Sequence, residues 1–231
     1  MIIFIPVRLN SVRLPQKALA DIKGLPMMIQ VGKRAKESQV GEVIFACGDA
    51  ELVEMAERHG FKAVLTDPLL PTGTDRVYAG FEALNTTEQY IINLQGDMPF
   101  IDPTTIAKTA EMLKSSGGDM STAACIQTDR EVLQSPSVAK VVINSHGKAL
   151  YFSRTHPFPF GEGNYYQHHG IYGYTAKALK RFVALPQTPL EKRENLEQLR
   201  ALEHDMSIHV AIVNDCPKSV DVPQDLIEVR G

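Results

Sequence analysis

Short runs of continuous apolar residues, each separated from the next by a stretch of helical character, constrain this chain more than any other feature. Ile2 to Ile5 is one such run, closed by Pro6, and Val43 to Cys47 is another, while Phe61 to Leu65 and Tyr90 to Leu94 read as further strands in the same alternation. A run without polar alternation describes a strand buried on both faces, as in a parallel sheet covered by helices. The intervening stretches carry helix signals. Pro26 opens a helix with Met28, Val31 and Ala35 on one side, and Asp49 caps a second helix that ends at Gly60. A third follows the loop 66–74 and runs to about Leu84, and Asp102 caps a fourth with Pro103 at its first position. This alternation predicts an α/β fold of the Rossmann-like kind with a mostly parallel central sheet and right-handed connections.

The pattern changes after residue 119. Met120 to Ile126, Val138 to Ile143 and Ala149 to Phe152 read as strands, the last two joined by the turn Asn144-Ser145-His146-Gly147. The expectation is a smaller β-rich insertion at about 119–155 within one domain spanning 1–231. A strand over 167–174 follows, then a helix opened by the capping box Thr188-Pro189-Leu190-Glu191, a strand over 208–213 and a final helix from Pro223. A chain of 231 residues suits one enlarged domain better than two independent ones.

A composition of 44% hydrophobic and 22% charged residues excludes both a membrane bundle and a disordered chain. The net charge of −3 argues against nucleic-acid binding by the whole surface, but residues 1–40 hold seven Lys/Arg against only Asp21 and Glu37. That segment suits a small anion. The three cysteines, Cys47, Cys125 and Cys216, are odd in number and widely spaced, so they fit neither a disulfide framework nor a zinc site and point to a reducing, cytoplasmic compartment. The apolar start is too short for a signal peptide, and no membrane insertion is expected.

Ligands of open α/β sheets collect where strands end. The first strand is followed by Arg8-Leu9-Asn10-Ser11-Val12-Arg13-Leu14-Pro15-Gln16-Lys17, whose three cations, Ser11 and backbone N–H groups suit the oxygens of a triphosphate and its leaving pyrophosphate. No Walker sequence or G-x-G-x-x-G accompanies it, so a P-loop enzyme or a dinucleotide enzyme is disfavoured. The plain alternative is a solvated basic loop. Gln95-Gly96-Asp97 ends a strand with a glycine that permits close approach and a carboxylate suited to magnesium. Asp221, in Val220-Asp221-Val222-Pro223-Gln224-Asp225, supplies a second loop-end carboxylate; a turn residue and helix-start charges are the competing readings.

Six strings occur in order along almost the whole chain: Arg8 to Leu19, Pro71-Thr72-Gly73-Thr74-Asp75-Arg76, Gln95-Gly96-Asp97, Ala149 to Arg154, Gly170 to Tyr174, and Glu197 to Arg200. Together they resemble the 3-deoxy-manno-octulosonate (Kdo) cytidylyltransferases, the CMP-Kdo synthetases of Gram-negative bacteria. The resemblance implies attack of the Kdo anomeric hydroxyl on the α-phosphorus of CTP, giving CMP-Kdo for lipopolysaccharide synthesis and pyrophosphate, with magnesium. It implies catalytic roles for Arg8, Lys17, Asp97 and Asp221, the two aspartates holding Mg2+. CTP binding falls to Arg8, Asn10, Ser11, Arg13, Lys17 and the Pro71, Thr72, Gly73, Thr74, Asp75, Arg76 loop as cytosine pocket. Sugar binding falls to Gln95, Arg154, His168, Tyr172, Glu194, Glu197 and Gln198. Glu194, Glu197 and Gln198 share one face of the capped helix by its 100° period. The family is typically a homodimer.

Three positions depart from the family pattern: Met98 where glutamate is usual, Val222 where threonine is usual, and Gln16 where glycine is common. They leave an amino analogue such as 8-amino-Kdo open as substrate. A nucleotide-sugar glycosyltransferase is a weaker alternative, since no D-x-D pair ends a central strand, and so is a noncatalytic nucleotide sensor, which needs no second carboxylate.

Overall fold

The computed structural model describes residues 1–11, 13–155, 157 and 163–230, so Val12 of the basic loop lies outside them. The chain forms two compact units, residues 1–107 with 217–231, and residues 108–216. The β-rich stretch expected at 119–155 falls inside the second unit, which extends well past it.

In the first unit, β1 (Ile2–Val7) is followed by a single 3₁₀ turn at Lys17–Leu19 and a small hairpin of β2 (Asp21–Ile22) and β3 (Leu25–Pro26). Next come α1 (Met27–Glu37), β4 (Glu42–Cys47), α2 (Ala50–Arg58), β5 (Lys62–Leu65), α3 (Gly73–Ala83) and β6 (Tyr90–Leu94). The strands lie in the order β6, β1, β4, β5, and every pairing is parallel, so the expected α/β architecture is present. The physical cause is the one read from sequence: Ile3, Phe4 and Ile5 of β1 and Phe45, Ala46 and Cys47 of β4 are wholly buried. Each large side chain among them contributes about 1.5–3 kcal/mol of burial free energy. In α3, a Cβ on Gly80 would stand 3.1 Å from both Phe4 and Val64, so the missing side chain lets this helix settle close on the sheet. Helix α4 (Pro103–Ser116) begins in this unit and ends in the second, and its first turn is capped by Asp102 Oδ1, which accepts from Thr104 N at 2.8 Å.

The second unit contains β7 (Met120–Gln127), α5 (Arg130–Gln134), β8 (Lys140–Ile143), β9 (Ala149–Ser153), β10 (Tyr165–Thr175), α6 (Ala176–Val183), α7 (Pro189–Glu194), α8 (Leu199–Glu203) and β11 (Ile208–Val213). Here β7 pairs parallel with β11 and antiparallel with β10, while β8 pairs antiparallel with β10 and β9. Its buried anchor is the ion pair of Glu191 and Arg200, in which Nε and Nη2 reach Oε2 at 2.9 Å and Oε1 at 2.5 Å. The chain then returns to the first unit as α9 (Pro223–Arg230).

Two expectations change here. The capped helix does not continue past Glu194, because Asn195 turns left-handed at φ 51°, ψ 48°, so Glu197 and Gln198 do not share a helical face with Glu194. The cysteines also do pair. Cys125 and Cys216, 91 residues apart in sequence, form a disulfide because β11 runs beside β7 and brings its exit to Cys125. Sequence spacing gives no sign of that neighbourhood.

Candidate active site

The basic loop of the first unit is held at both ends. Leu9 N donates to Asp49 Oδ2 at 2.8 Å, so the aspartate expected as a side-chain cap of α2 instead anchors the loop, although it keeps the N-cap position. At the far end Gln16 sits at φ 54°, ψ 29°, a left-handed conformation that explains why glycine suits this position. The turn after β6 lies against the end of β1: a Cβ on Gly96 would stand 3.0 Å from Val7 Cγ1 and 3.3 Å from Pro6 O. Asp97 O accepts from Val220 N at 2.8 Å, a main-chain clasp that places Asp221 beside Asp97.

On this frame the charges converge. Lys17 Nζ donates to Asp97 Oδ2 at 2.9 Å and to Asp221 Oδ1 at 3.1 Å, and Arg13 Nη2 reaches the same Asp221 oxygen at 3.1 Å. Burial pulls the Lys17 pKa down, but the charges and hydrogen bonds of Asp97 and Asp221 outweigh it and hold the ammonium above its ordinary value. Two carboxylates directed at one point form a hard-oxygen donor pair of the kind magnesium takes.

A cavity of about 330 Å³ opens over these groups. Its lining brings together Arg8, Ser11, Arg13, Lys17, Thr72, Gly73, Arg76, Gln95, Asp97 and Asp221 of the residues expected from sequence. Asn10, Pro71, Thr74 and Asp75 are not part of it. The reason is local for two of them. Thr72 and Asp75 form a reciprocal capping box at the start of α3, and Thr74 is buried and accepts from Asn93 Nδ2 at 3.3 Å. Arg76 serves the wall of the cavity, donating to Thr66 Oγ1 at 2.6 Å and Asp67 O at 3.1 Å, with burial and the nearby Arg8 charge lowering its pKa.

The second unit holds a cluster of different character. His168 Nε2 bonds Thr122 Oγ1 at 2.9 Å, and its ring packs against Phe152 and Tyr172 at centroid distances of 5.0 and 5.5 Å. Burial, with help from His169 and Arg154, lowers the His168 pKa to about 3, so this imidazole is neutral. Tyr172 OH donates to Gln198 Oε1 at 3.0 Å, while the buried Gln198 Nε2 has no partner. Arg154 spends its fork on main-chain oxygens, at 2.9 Å to Ser137 O, 3.3 Å to Asn195 O and 3.4 Å to both Pro136 O and Glu194 O. Glu194 Oε2 accepts from Arg154 N at 2.7 Å, and Oε1 accepts from Tyr151 OH at 3.2 Å. Glu197 lies 3.8 Å from Arg200. Thr122 and Tyr151 carry no sequence signal for these roles, since a threonine in a strand and a tyrosine in a hairpin are ordinary β residues.

Comparison with known proteins gives a consistent result. The family model described as cytidylyltransferase matches residues 2–208. A 3-deoxy-manno-octulosonate cytidylyltransferase of Parvibaculum lavamentivorans is 46% identical, covering 100% of this chain and 91% of the relative. The protein of the same name from Paramagnetospirillum magneticum is 43% identical over 100% of this chain and 96% of its own. The chain belongs to the 3-deoxy-manno-octulosonate cytidylyltransferase family. A solved CMP:2-keto-3-deoxy-manno-octonic acid synthetase complexed with CTP superposes with a TM-score of 0.92 at 34% identity, covering 99% of this chain and 96% of that one. A Bacillus anthracis protein titled as a putative glucose-1-phosphate thymidylyltransferase, 14% identical with a TM-score of 0.69, shares the fold. Within the cytidylyltransferase family pattern, the departure at Met98 is packed inside at 3% exposure, and Val222 N donates to Asp225 Oδ2 at 2.9 Å to start α9. No helix among the described residues is long and apolar enough to cross a membrane.

Proposed function

We propose that this chain transfers CMP from CTP to the anomeric hydroxyl of Kdo, giving CMP-Kdo and pyrophosphate. The observation that carries the reading is the convergence of Lys17 with Asp97 and Asp221 in a cavity lined by Arg8 and Arg13. The sugar hydroxyl attacks the α-phosphorus, a new P–O bond forms as the bond to pyrophosphate breaks, and the hydroxyl proton passes to solvent. Charge builds on the phosphoryl and leaving-group oxygens, so positioning and fixed positive charge lower the barrier. Arg8, Ser11, Arg13 and Lys17 bind the triphosphate, and Thr72, Gly73 and Arg76 form the wall against which the nucleoside lies. Asp97 and Asp221 hold Mg2+, which neutralises phosphate charge and polarises the phosphorus. Lys17, kept cationic, takes up the negative charge of the departing pyrophosphate.

In the second unit Arg154, His168, Tyr172, Glu194, Glu197 and Gln198 recognise the sugar acid. Its hydroxyls find an unpartnered amide at Gln198 Nε2 and a neutral imidazole at His168. The relatives named for 3-deoxy-manno-octulosonate itself favour Kdo over an amino analogue. A homodimer is part of the proposal, supported by the exposed apolar side chains Ile126, Leu150 and Ile212 of the second unit.

The test is pyrophosphate release from CTP and Mg2+, with Kdo, with 8-amino-Kdo and with no sugar. Release that requires Kdo, together with a CMP-Kdo product, supports the reading. Sugar-independent hydrolysis, or a strong preference for the amino analogue, counts against it.

A further inference from the structure

Cys125, Cys216 and His169 take no part in the proposed transfer, yet they converge within the second unit. Cys125 stands in β7 opposite Gln167 of β10 and Val213 of β11, and Cys216 follows β11 by three residues, with the two Cα atoms 5.6 Å apart. A ring nitrogen of His169 and the two sulfurs all lie within 4.8 Å of one another. His169 is 2% exposed, and neither Nδ1 nor Nε2 has a hydrogen-bond partner. Leaving such a buried polar group unsatisfied is unfavourable, and a ligand at the ring would relieve it. A register shift in β10 between His169 and Tyr172 interrupts the ladder directly beyond this ring, the kind of irregularity that re-aims side chains next to sites.

We propose that Cys125, Cys216 and His169 form a binding site for one thiophilic divalent cation, with Zn2+ as the type, open to the ion when the two cysteines are thiols and closed when they are joined as a disulfide. Two thiolates and an imidazole are the donors zinc prefers, and three protein ligands leave a fourth tetrahedral position for water. The site therefore differs in kind from Asp97 and Asp221, whose hard oxygens suit magnesium. Passage between the forms balances with a low-molecular-weight thiol as reductant. Two such thiols reduce the Cys125–Cys216 bond, giving two protein thiols and one small-molecule disulfide, and the protein thiols release two protons to solvent as the ion binds. Cys216 is only half-buried, which gives reductant and ion a way in, whereas Cys125 and His169 are buried.

The experiment uses the full chain, reduced with a phosphine, freed from it under argon and titrated with Co2+ as a spectroscopic probe. One equivalent should produce a thiolate-to-cobalt charge-transfer band that Zn2+ abolishes and Mg2+ does not. The oxidised protein should show no band, and His169→Ala should bind at least about tenfold more weakly. A reduced wild-type protein without the band, or a His169→Ala variant of unchanged affinity, overturns the proposal. A second readout needs no variant: in the reduced native protein Zn2+ should protect Cys125 and Cys216 from alkylation, as read by peptide mass. Equal alkylation with and without Zn2+ contradicts the site.

Discussion

The two units build their functional clusters from opposite materials. In the first, Arg13, Lys17, Asp97 and Asp221 form an ionic network around a cavity, with Lys17 about one-fifth exposed and Arg13 66% exposed at the side chain. In the second, His168, Tyr172 and Gln198 form a neutral, hydrogen-bonded cluster, and the full charges are paired off: Arg200 with Glu191, and Arg154 on main-chain carbonyls. The difference follows the proposed ligands. A triphosphate and its metal bring high charge that partly hydrated ions meet through charge-assisted bonds, whereas the hydroxyls of a sugar acid are read by fixed, neutral donors and acceptors. Charge in the first unit therefore serves chemistry, whereas in the second the buried Glu191–Arg200 pair serves stability and Arg154, Glu194 and Glu197 remain for the sugar acid.

That contrast breaks most visibly at the buried ion pair. Glu191→Gln leaves Arg200 buried and unpaired, and should lower unfolding free energy by about 3–5 kcal/mol in urea titration. The pair also sets a pH dependence. Burial raises the Glu191 pKa, but its bonds to Arg200 and Thr188 N outweigh that and hold it below the ordinary glutamate value. Its contribution is thus complete above the unfolded glutamate pKa and is lost as pH falls through the lower folded value. A variant whose stability matches wild type and whose acid transition is unshifted would show that charge in the second unit is not structural.

Lys17→Met is the counterpart in the first unit. It should lower kcat about 10²-fold, the usual effect of deleting one group that meets developing charge, while the urea midpoint stays near wild type. Next in size, Arg154→Lys should raise the Kdo KM about tenfold and the CTP KM little, because an ammonium cannot span the oxygens of Ser137, Asn195 and Glu194 that the fork gathers. Equal changes for both substrates would detach Arg154 from the sugar. The smallest effect is expected at Gln16→Gly, which removes a left-handed non-glycine residue and should change stability by no more than about 1 kcal/mol in the favourable direction. Loss of activity there would give the Gln16 side chain a role of its own.

What the sequence discloses follows from whether the determining force is local. Strands β1 and β4 are legible because burial on both faces leaves an unbroken apolar run, and the starts of α4 and α7 are legible because Asp102-Pro103 and Thr188 to Glu191 are local cap patterns; β5, at the sheet edge with Leu65 exposed, is legible only from its place in the alternation. The end of α7 is not legible. Asn195 turns left-handed in a segment where Glu191 is drawn to Arg200 and Leu196 is buried, both consequences of tertiary packing. The same holds for Asp49, which has the spacing of a helix cap but gives its carboxylate to Leu9 N, 40 residues earlier. In the candidate site, Arg8, Lys17, Asp97 and Asp221 can be found as charges at strand ends, though their convergence rests on the Val220 to Asp97 clasp that no spacing announces. The pairing of Cys125 with Cys216 is hidden for the same reason.

The central claim is that Asp97 and Asp221 act together on one divalent ion at the CTP phosphates. Its most direct measurement is the Mg2+ dependence of Kdo-dependent pyrophosphate release for wild type and Asp97→Asn, with circular dichroism to verify folding. The account predicts a folded variant at least about 10²-fold slower at saturating CTP, Kdo and Mg2+. A folded Asp97→Asn protein with the wild-type rate and the wild-type Mg2+ requirement would contradict it.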